Sequence, residues 1–434
     1  MKRGREKMGD EEGRNRQNAG ARPAPTPPAA SGSRPLPRPS LGRATIIIGF
    51  VSLLADVSSE MIYPLLPIFI TQVLAAPASA LGLIEGISVG TASIISGISG
   101  WISDRIGRRK PVAFAGYALT AVSRPMLAFA GSWPVVLGAR FSERFGKGIR
   151  GAPRDALLAE SAPAEDRGRA FGFERAMDST GAVIGPLLGL LFVGAVGLGI
   201  RSVFLISCIP ATVAALLLLS VPETEGKVKG ARSLKFSLAG TTSTYRRVLL
   251  IAGVFGLANS ANAFLILRAE QLGLATRWTI LAYALYNAVS AMMSMPAGAA
   301  SDRFGRRNLL IIGYTIYAGV YVGFGVANRG WLVWPLFAIY GLFPALTDGV
   351  AKALAVDTAG TAGRATVIGI YSSVIGVTQI AASIIGGMLW DKVGAQATFY
   401  FGAAMSALSV ALLFALLPAR TRREAGNPDR AGDS

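Results

Sequence analysis

The chain has 434 residues, of which 52% are hydrophobic and 16% are charged, with a mean hydropathy of +0.47 and a formal net charge of +18. This balance is typical of an integral membrane protein and excludes an ordinary water-soluble enzyme. The chain has no histidine and a single cysteine, Cys208, which excludes an intramolecular disulfide, a cysteine-cluster metal site and histidine-dependent catalysis. We therefore expect no enzymatic activity, no cofactor and no bound metal.

Twelve apolar stretches are long enough to cross a bilayer as helices, each of which needs about 20 residues. The predicted spans are 44–73, 80–102, 111–131, 133–158, 168–195, 200–221, 247–272, 278–300, 309–327, 331–356, 365–390 and 395–418. Glycine and proline inside several spans are compatible with membrane helices, because neighbouring helices re-satisfy the backbone and small residues permit close packing. The pattern predicts an all-α membrane protein with 12 transmembrane helices.

The basic residues outside the spans predict the orientation of the chain. If the spans alternate, the segments rich in Arg and Lys, such as 227–247 and 420–423, all lie on one face. The loops 75–80 and 131–134 on the other face are short and poor in cations. Excess Lys and Arg in short loops marks the cytoplasmic side, so both termini are predicted to be cytoplasmic. The positive charge thus reflects topology, and no nucleic-acid partner is expected because no stacking or groove-reading element accompanies it.

The regions between and around the spans predict the domain organisation. Residues 1–42 are rich in Pro, Ala, Gly and Arg and cannot bury enough apolar surface to offset their ordering entropy, so they are predicted to form a disordered cytoplasmic tail. Its cations either are merely solvated or contact anionic headgroups. The predicted order continues with an N-terminal six-helix bundle at 43–221, a cytoplasmic linker at 222–246, a C-terminal six-helix bundle at 247–419 and a second cytoplasmic tail at 420–434.

The first span contains two carboxylates far from either of its ends. In LLADVSSEMIYPLLP, Asp56 and Glu60 are four residues apart and share one helical face. A charged group at the centre of a bilayer costs about 2.5–3.5 kcal/mol, and such residues mark substrate or proton paths. Both are therefore candidates for proton coupling. Pairing with buried cations, or a place for Glu60 in a wet vestibule, is the alternative.

One signature occurs twice, as GWISDRIGRRK at 100–110 and as GAASDRFGRRN at 298–308, and we call these segments the signature loops. Asp302 follows Asp104 by 198 residues, nearly half the chain, which indicates an internal duplication. The signature resembles the cytoplasmic loop between the second and third helices of the major facilitator superfamily, whose pattern is roughly G-x-x-x-D-R-x-G-R-R-[RK]. In that family the loop latches the two halves together when the cavity opens outward.

The resemblance implies the same gating role for residues of both signature loops. The implied gate residues are Gly100, Asp104, Arg105, Gly107 and Arg108 in the first loop and Asp302, Arg303, Gly305 and Arg306 in the second. An Asp at this position can accept hydrogen bonds from a neighbouring helix start and pair with Arg. The glycines would permit the tight turn. A solvated loop that serves only orientation is the alternative.

The fourth span carries an unusual run of charges, RFSERFGKGIRGAPRD at 140–155. Spacings of three and four place Arg140, Glu143 and Arg144 on one face, so Glu143 can offset the neighbouring cations. The region resembles the family motif R-x-x-x-G-x-G, in which a buried Arg takes part in proton transfer or substrate binding. Since neither Arg stands four residues before Gly146, both remain candidates, with Glu143 as an accessory proton carrier. The lower part of the run, 147–155, belongs either to the pocket or to a cytoplasmic gate.

The fifth span contains a glycine pattern with a proline. It resembles the antiporter motif G-(x8)-G-(x3)-G-P-(x2)-G-G of the family's proton-linked drug exporters, with Leu190 at the last Gly position, and the matching residues are Gly172, Gly181, Gly185, Pro186 and Gly189. Glycines at this spacing form a groove for a neighbouring helix, and proline bends the helix. Arg175 and Asp178 on the same span are candidates for charge relay, with local pairing as the alternative.

The second half keeps the duplicated pattern with fewer charges. Asp348 and Lys352 stand at the 198-residue offset from Arg150 and Arg154. We therefore predict that coupling chemistry lies in the first half and that neutral side chains of the second half hydrogen-bond the substrate. The candidates are Asn259, Asn262, Tyr286, Asn287 and Gln379, for each of which helix–helix hydrogen bonding is the alternative.

Taken over residues 43–420, the resemblance implies the major facilitator fold, with two six-helix bundles around a central cavity that opens alternately to each side. No GxxxxGK[ST] phosphate loop is present, so a gradient must supply the energy. The predicted function is proton-coupled export of a small organic or drug-like compound by a monomer in the bacterial plasma membrane, with the substrate, protons and the lipid bilayer as partners. One alternative is an importer of an anionic metabolite that uses the Arg-rich fourth span, and another is a sensor that has lost transport.

Overall fold

The computed structural model describes residues 41–106, 108–163, 166–223, 240–360 and 364–417, without the side chains of 97, 98, 100–106, 364 and 365. These residues form twelve consecutive helical segments. The first six are α1 Arg43–Val73, α2 Ala78–Ile106, α3 Lys110–Ala128, α4 Trp133–Glu160, α5 Arg167–Ala195 and α6 Ile200–Leu218. The second six are α7 Ser243–Gln271, α8 Thr276–Phe304, α9 Arg306–Val326, α10 Gly330–Asp357, α11 Arg364–Lys392 and α12 Ala395–Leu416.

Ten of these segments in the described part of the chain are long and apolar enough to cross a membrane. The other two are α3 and α4, and α4 carries the charged run 140–155. Every segment begins and ends four residues or fewer from its predicted bounds. The largest difference at a start is at α7, which begins at Ser243 inside the predicted linker because the Thr242 side chain caps it by accepting a hydrogen bond from the Tyr245 amide at 3.0 Å.

The helices form two bundles of six with the same packing order. In the first bundle α1 packs on α5 and α6, α2 packs on α4, and α3 packs on α4 and α6. In the second bundle the corresponding contacts are α7 with α11 and α12, α8 with α10, and α9 with α10 and α12. The bundles meet where α2 packs on α11 and where α5 packs on α8. The duplication expected from the signature loops therefore extends to the whole described fold.

Two helices change their path within the bundles. In α1 a 3₁₀ turn at Tyr63–Leu65 contains Pro64, which cannot donate to the helical ladder. In α7 the helix stops at Ala258 and resumes at Ala263, so the segment between them is not helical. Polar residues near both interruptions can therefore face the centre of the molecule instead of following one helical stripe.

Glycines of α5 allow it to approach the backbone of α1. A Cβ built on Gly181 would lie 2.7 Å from the Leu53 carbonyl oxygen, and one on Gly189 would lie 2.6 Å from the Met61 carbonyl oxygen. Gly185 is equally close to α1, with the Glu60 Cβ at 2.8 Å. A Cβ on Gly172 would meet nothing within 4 Å. Three of the four motif glycines thus hold α5 against α1, whereas Gly172 does not take part in this packing.

The named contacts between the bundles lie between the middle of the molecule and the face opposite the signature loops. At that opposite face, Asp391 of α11 accepts hydrogen bonds from the amides of Ala78 and Ser79 at 3.0 and 2.8 Å, at the start of α2. Further along α2, a Cβ on Gly82 would lie 2.2 Å from the Ser383 carbonyl oxygen of α11. The chain is therefore in a state in which the opposite face is held closed.

Candidate functional site

Asp56 of α1 lies in a cluster of charges contributed by three helices. Its side chain is nearly buried, and the Lys147 Nζ of α4 is 3.7 Å from Asp56 Oδ1. Asp178 of α5 is within hydrogen-bonding reach of Asp56 and also pairs with Arg175, whose Nη1 is 3.3 Å from Asp178 Oδ2. Two carboxyl groups can hydrogen-bond to each other only when one of them carries a proton. The arrangement can therefore bind one proton beside a lysine.

Glu60, one turn further along α1, contacts the second bundle. Its Oε2 accepts a hydrogen bond from the Tyr283 hydroxyl of α8 at 3.0 Å. The Tyr283 ring stacks on the ring of Tyr63 in α1, with 5.4 Å between the centroids. A carboxyl of the predicted proton path thus also joins the two bundles, so a change in its protonation would change a contact between them.

Four fully buried charged side chains form an ion chain through the first bundle. The Arg140 Nη2 of α4 is 2.7 Å from Glu85 Oε1 of α2, and Arg140 Nη1 is 2.5 Å from Glu143 Oε2. The Arg124 Nη2 of α3 is 3.1 Å from Glu143 Oε1. These four side chains carry two positive and two negative charges, so removing one of them would leave a buried charge unpaired. We call Glu85, Arg140, Glu143 and Arg124 the ion chain.

Arg140 and Arg144, the two alternatives for the functional arginine of the fourth span, have different surroundings. Arg140 is wholly enclosed and has a carboxylate on each side. Arg144 is half-buried, and its Nε is buried without a hydrogen-bond partner in the described part of the chain. Of Arg140 and Arg144, it is therefore Arg144 that has a buried guanidinium nitrogen without a partner among the described residues. Protonating Glu143 would weaken both of its ion pairs, which makes it a poorer proton carrier than Asp56.

Sequence reasoning missed Glu85 and Arg124. Each is a lone charge inside an otherwise apolar span, and such charges are normally paired inside the bundle. Arg124 also donates to Ser58 at 3.0 Å and to Ser59 at 2.9 Å, which ties α3 to α1. The signal was thus present in the sequence, but the identity of the partners required the packing of α2, α3 and α4.

The lower part of the fourth-span run is bound to its own bundle. The Arg154 Nη1 is 2.9 Å from Glu174 Oε1 of α5, and Ser52 donates to the same oxygen at 2.7 Å. Arg150 lies over the Tyr117 ring, 4.3 Å from its centroid. Among the ion pairs of the described residues, Lys147 is the member of this part that pairs with Asp56. The run therefore divides into a central part near Asp56 and a part that braces the end of the bundle near the signature loops.

The neutral candidate residues of the second bundle fall into two groups, those bound to other helices and those that line a cavity. Asn262 is bound to protein, since it donates to the Tyr286 hydroxyl at 3.3 Å and accepts from the Tyr340 hydroxyl at 2.9 Å. Asn287 donates to the Ala182 carbonyl oxygen of α5 at 3.1 Å. Asn259 and Gln379 line a cavity of about 230 Å³ in the second bundle. Asn262, Tyr286 and Asn287 thus make helix contacts, and the other two are open to a ligand.

The signature loops are described in part. Gly107 lies outside the described residues, and so do the side chains of Asp104 and Arg105. Gly100 lies within α2, and Arg108 is exposed.

In the second loop Asp302 and Arg303 are exposed, and Gly305 has a φ of +83°, which favours glycine. Arg306 at the start of α9 pairs with Asp357 at the end of α10, and Arg109 pairs with Glu160 in the same way in the first bundle. These pairs join helices within a bundle, so the latch between bundles stays a prediction.

Comparison with known proteins decides the family. The model of the Major Facilitator Superfamily matches residues 48–292 and 248–433. The chain belongs to the major facilitator superfamily. It is 34% identical over 381 residues to an uncharacterised transporter of this superfamily from Methanocaldococcus jannaschii, a match that covers 86% of this chain and 94% of the relative. This membership makes the protein a multi-pass membrane transporter of a small molecule rather than an enzyme.

Two further likenesses are more distant. The chain is 26% identical over 318 residues to the class C tetracycline resistance protein of Escherichia coli, covering 68% of this chain and 76% of the relative. A crystal structure of a nucleoside transporter superposes with a TM-score of 0.75 at 13% identity, covering 86% of this chain and 100% of that one. The structural likeness establishes the fold, and at this identity it carries nothing about the substrate.

Proposed function

We propose that this superfamily member exports a small organic compound, drug-like or a metabolite, in exchange for protons. The observation that carries the proposal is the contact of Asp56 with Asp178 beside Lys147. The pair can hold a proton between two helices of the first bundle, α1 and α5. Intramembrane carboxylates that pair with one another are typical of proton relays.

The proton can act on substrate binding indirectly, by changing the arrangement of Lys147 in the first bundle. When the carboxyl pair is deprotonated, Lys147 is held by Asp56 as its counter-ion. When the pair takes up a proton, this attraction weakens, and Lys147 becomes free to move or to meet a different group. Protonation and substrate release are then linked, because each state of the pair favours a different arrangement of the same cation.

Glu60 extends this coupling to the movement of the bundles. Its hydrogen bond to Tyr283 is one of the contacts that hold the present state. A change of charge at Glu60 alters that hydrogen bond, and one hydrogen bond to a charged group contributes about 1.5–3 kcal/mol. This is enough to shift the balance between two conformations of a rocking transporter about tenfold or more.

The direction of transport is supported by two observations. The glycine pattern of α5 resembles the antiporter motif of proton-linked drug exporters, and three of its glycines hold α5 against α1 at Asp56 and Glu60. A relative that aligns over 68% of this chain is named for resistance to tetracycline. Export of a compound against its gradient is the function that both observations favour.

The test uses inside-out membrane vesicles with a preformed acid-inside pH gradient and a panel of dyes, antibiotics and metabolites. A transported compound should collapse the gradient in vesicles with the native protein. The Asp56→Asn variant should abolish the collapse, and Asp178→Asn should reduce it strongly. Glu223→Gln, which removes an exposed carboxylate outside the helices, is the matched control and should behave as the native protein. A compound that collapses the gradient equally with Asp56→Asn would overturn the proposal.

A second candidate, import of an anionic metabolite, is favoured by Arg144. Its Nε is buried and unpartnered among the described residues, which is costly unless an anion or water occupies the site in some state. Uptake of a labelled anion that fails with Arg144→Gln and persists with Asp56→Asn would support import. The reverse pattern would support the exporter.

We further propose that both termini face the cytoplasm of a bacterial cell and that the protein works as a monomer in the plasma membrane. The basic segments on the signature-loop face support this orientation. Reporter fusions at residues 132 and 240, which lie at opposite ends of the helices, would distinguish the two orientations.

A further inference from the structure

The cavity of about 230 Å³ belongs almost entirely to the second bundle, with Ser93 of α2 as its contribution from the first. Four aromatic rings line it, Phe255, Tyr314, Phe343 and Tyr371. Phe255 and Tyr314 stack almost in parallel, with centroids 3.7 Å apart, so each ring covers one face of the other, and the pair forms one wall of the cavity. The edges and the outer face of this wall can contact a flat aromatic compound.

The same cavity contains one charge of each sign. Asp348 and Lys352 lie one helical turn apart on α10, both line the cavity, and both side chains are exposed. No ion pair joins them to each other in the described part of the chain, although their spacing would allow one. Arg175 of α5 acts on Asp348 electrostatically from the first bundle, and Arg175 itself pairs with Asp178.

Separate charges of opposite sign on one wall are suited to a ligand that brings both complements. A protonated amine would meet Asp348 and the electron-rich faces of the tyrosines, which attract cations. An acidic group would meet Lys352. The amides of Asn259 and Gln379 supply further hydrogen bonds. A neutral apolar ligand would leave both charges without partners, at a cost in binding free energy.

We propose that this cavity is the substrate subsite and that it binds an aromatic zwitterion, a flat ring system with one protonated amine and one carboxylate. The proposal rests on the proposed transport function, for which it names the class of substrate. Asp348 recognises the amine, Lys352 recognises the carboxylate, and the Phe255–Tyr314 wall holds the ring system. The site on the second bundle is thereby separated from the proton-binding pair on the first.

The test measures binding to the purified full chain in lipid nanodiscs, without a gradient. The probes are ciprofloxacin, a fluorescent aromatic zwitterion, its ethyl ester, which keeps only the amine charge, and its N-acetyl derivative, which keeps only the acid. Fluorescence anisotropy reports each Kd. The native protein should bind ciprofloxacin at least tenfold more tightly than either derivative.

The variants assign each charge separately. Asp348→Asn should weaken binding of ciprofloxacin and of the ester at least tenfold and leave the N-acetyl derivative unchanged. Lys352→Gln should weaken ciprofloxacin and the N-acetyl derivative and leave the ester unchanged. Asp348→Glu should restore most of the binding, and Glu223→Gln and Lys392→Gln, at exposed positions away from the cavity, are matched controls. The melting temperature of each variant verifies that it is folded.

Two results would overturn the proposal. One is the absence of ciprofloxacin binding to the native protein, and the other is equal binding of all three probes to Asp348→Asn, Lys352→Gln and the native chain. Since binding is measured without a pH gradient, failure of the exporter proposal in the vesicle assay would leave the pattern of Kd values intact. The two proposals can therefore fail independently.

Discussion

The two bundles share one arrangement of helices and are held together by different chemistry. The first bundle has the buried ion chain through α2, α3 and α4. The second bundle has tyrosine and phenylalanine rings, such as Tyr317 and Tyr321 with centroids 4.1 Å apart. Glu85 of the ion chain and Tyr283 stand at the same 198-residue offset as the two signature loops. Duplication has thus kept the backbone, and the side chains at corresponding positions have taken up different tasks.

One feature is common to both bundles. Arg201 donates two hydrogen bonds of 2.7 Å to the carbonyl oxygens of Ala128 and Ala130 at the end of α3. Arg268 donates to the carbonyl oxygens of Phe324 and Ala327 at the end of α9. A guanidinium satisfies the unpaired carbonyl groups at the corresponding helix end in each half. The ends of α3 and α9 are therefore hydrogen-bonded in the same way, whereas the interiors of the two bundles have diverged.

The largest expected difference between the bundles follows from breaking the ion chain. Arg140→Met leaves Glu85 and Glu143 buried beside one remaining arginine, and such a loss costs about 3–5 kcal/mol. Tyr317→Phe in the second bundle removes an uncharged hydroxyl that donates to the Ala258 carbonyl oxygen, and one such hydrogen bond contributes about 1 kcal/mol. Thermal unfolding of the purified variants in detergent should show a much larger loss for Arg140→Met.

Arg329→Met, at an exposed site, is the control for the change of residue type. If Arg140→Met unfolded at the same temperature as Arg329→Met, the ion chain would have no role in stability, and the contrast between the bundles would be wrong.

A smaller effect is expected where α5 meets α1, compared with the corresponding contact of α11 with α7. Gly181→Ala would place a methyl group 2.7 Å from the Leu53 carbonyl oxygen, a backbone atom that cannot move alone, and overpacking of this kind costs about 1–3 kcal/mol. Gly253→Ala in α7 would meet the Val374 side chain at 3.4 Å, which is an ordinary contact. We expect Gly181→Ala to lower the unfolding temperature and Gly253→Ala to leave it near the native value. Equal effects of the two substitutions would contradict this difference between Gly181 and Gly253.

The smallest effect concerns the contact between the bundles. Tyr283→Phe removes the hydrogen bond to Glu60 and keeps the ring on Tyr63, so the closed opposite face should lose about 1.5 kcal/mol of its preference, the lower end of the range for a hydrogen bond to a charged group. Spin labels at Ser132→Cys and Asn328→Cys, in a Cys208→Ser background, report the distance between the bundles at that face. The population with the longer distance should rise in Tyr283→Phe. An unchanged distance distribution would show that Glu60 does not link protonation to movement.

Much of the fold could be predicted from the sequence because the length and hydrophobicity of a segment specify a membrane helix. Length and hydrophobicity predicted the bounds of twelve helical segments to within four residues, and ten of them in the described part of the chain are long and apolar enough to cross a membrane. The second bundle was located by the repeated signature, whose offset applies to the whole unit. These features depend on the neighbours of a residue along the chain.

The site was predictable only in part, because its chemistry depends on partners from distant helices. Asp56 and Glu60 were identified because a charge inside an apolar span is expensive and needs a reason. The sequence could not say that Arg140 is enclosed by Glu85 and Glu143, or that Asn262 is bound to two tyrosines while Asn259 is open to the cavity. Spacing along a helix gives the face of a residue and leaves its partner undetermined.

Infrared difference spectroscopy of the purified protein in lipid during a pH step tests whether Asp56 and Asp178 share a proton. We expect a carbonyl band of a protonated carboxyl group in the native protein that disappears in both Asp56→Asn and Asp178→Asn. Glu143→Gln, which alters a carboxylate paired with two arginines, should keep the band. A band that persists unchanged in Asp56→Asn and Asp178→Asn would contradict the claim and remove the basis for proton exchange at this site.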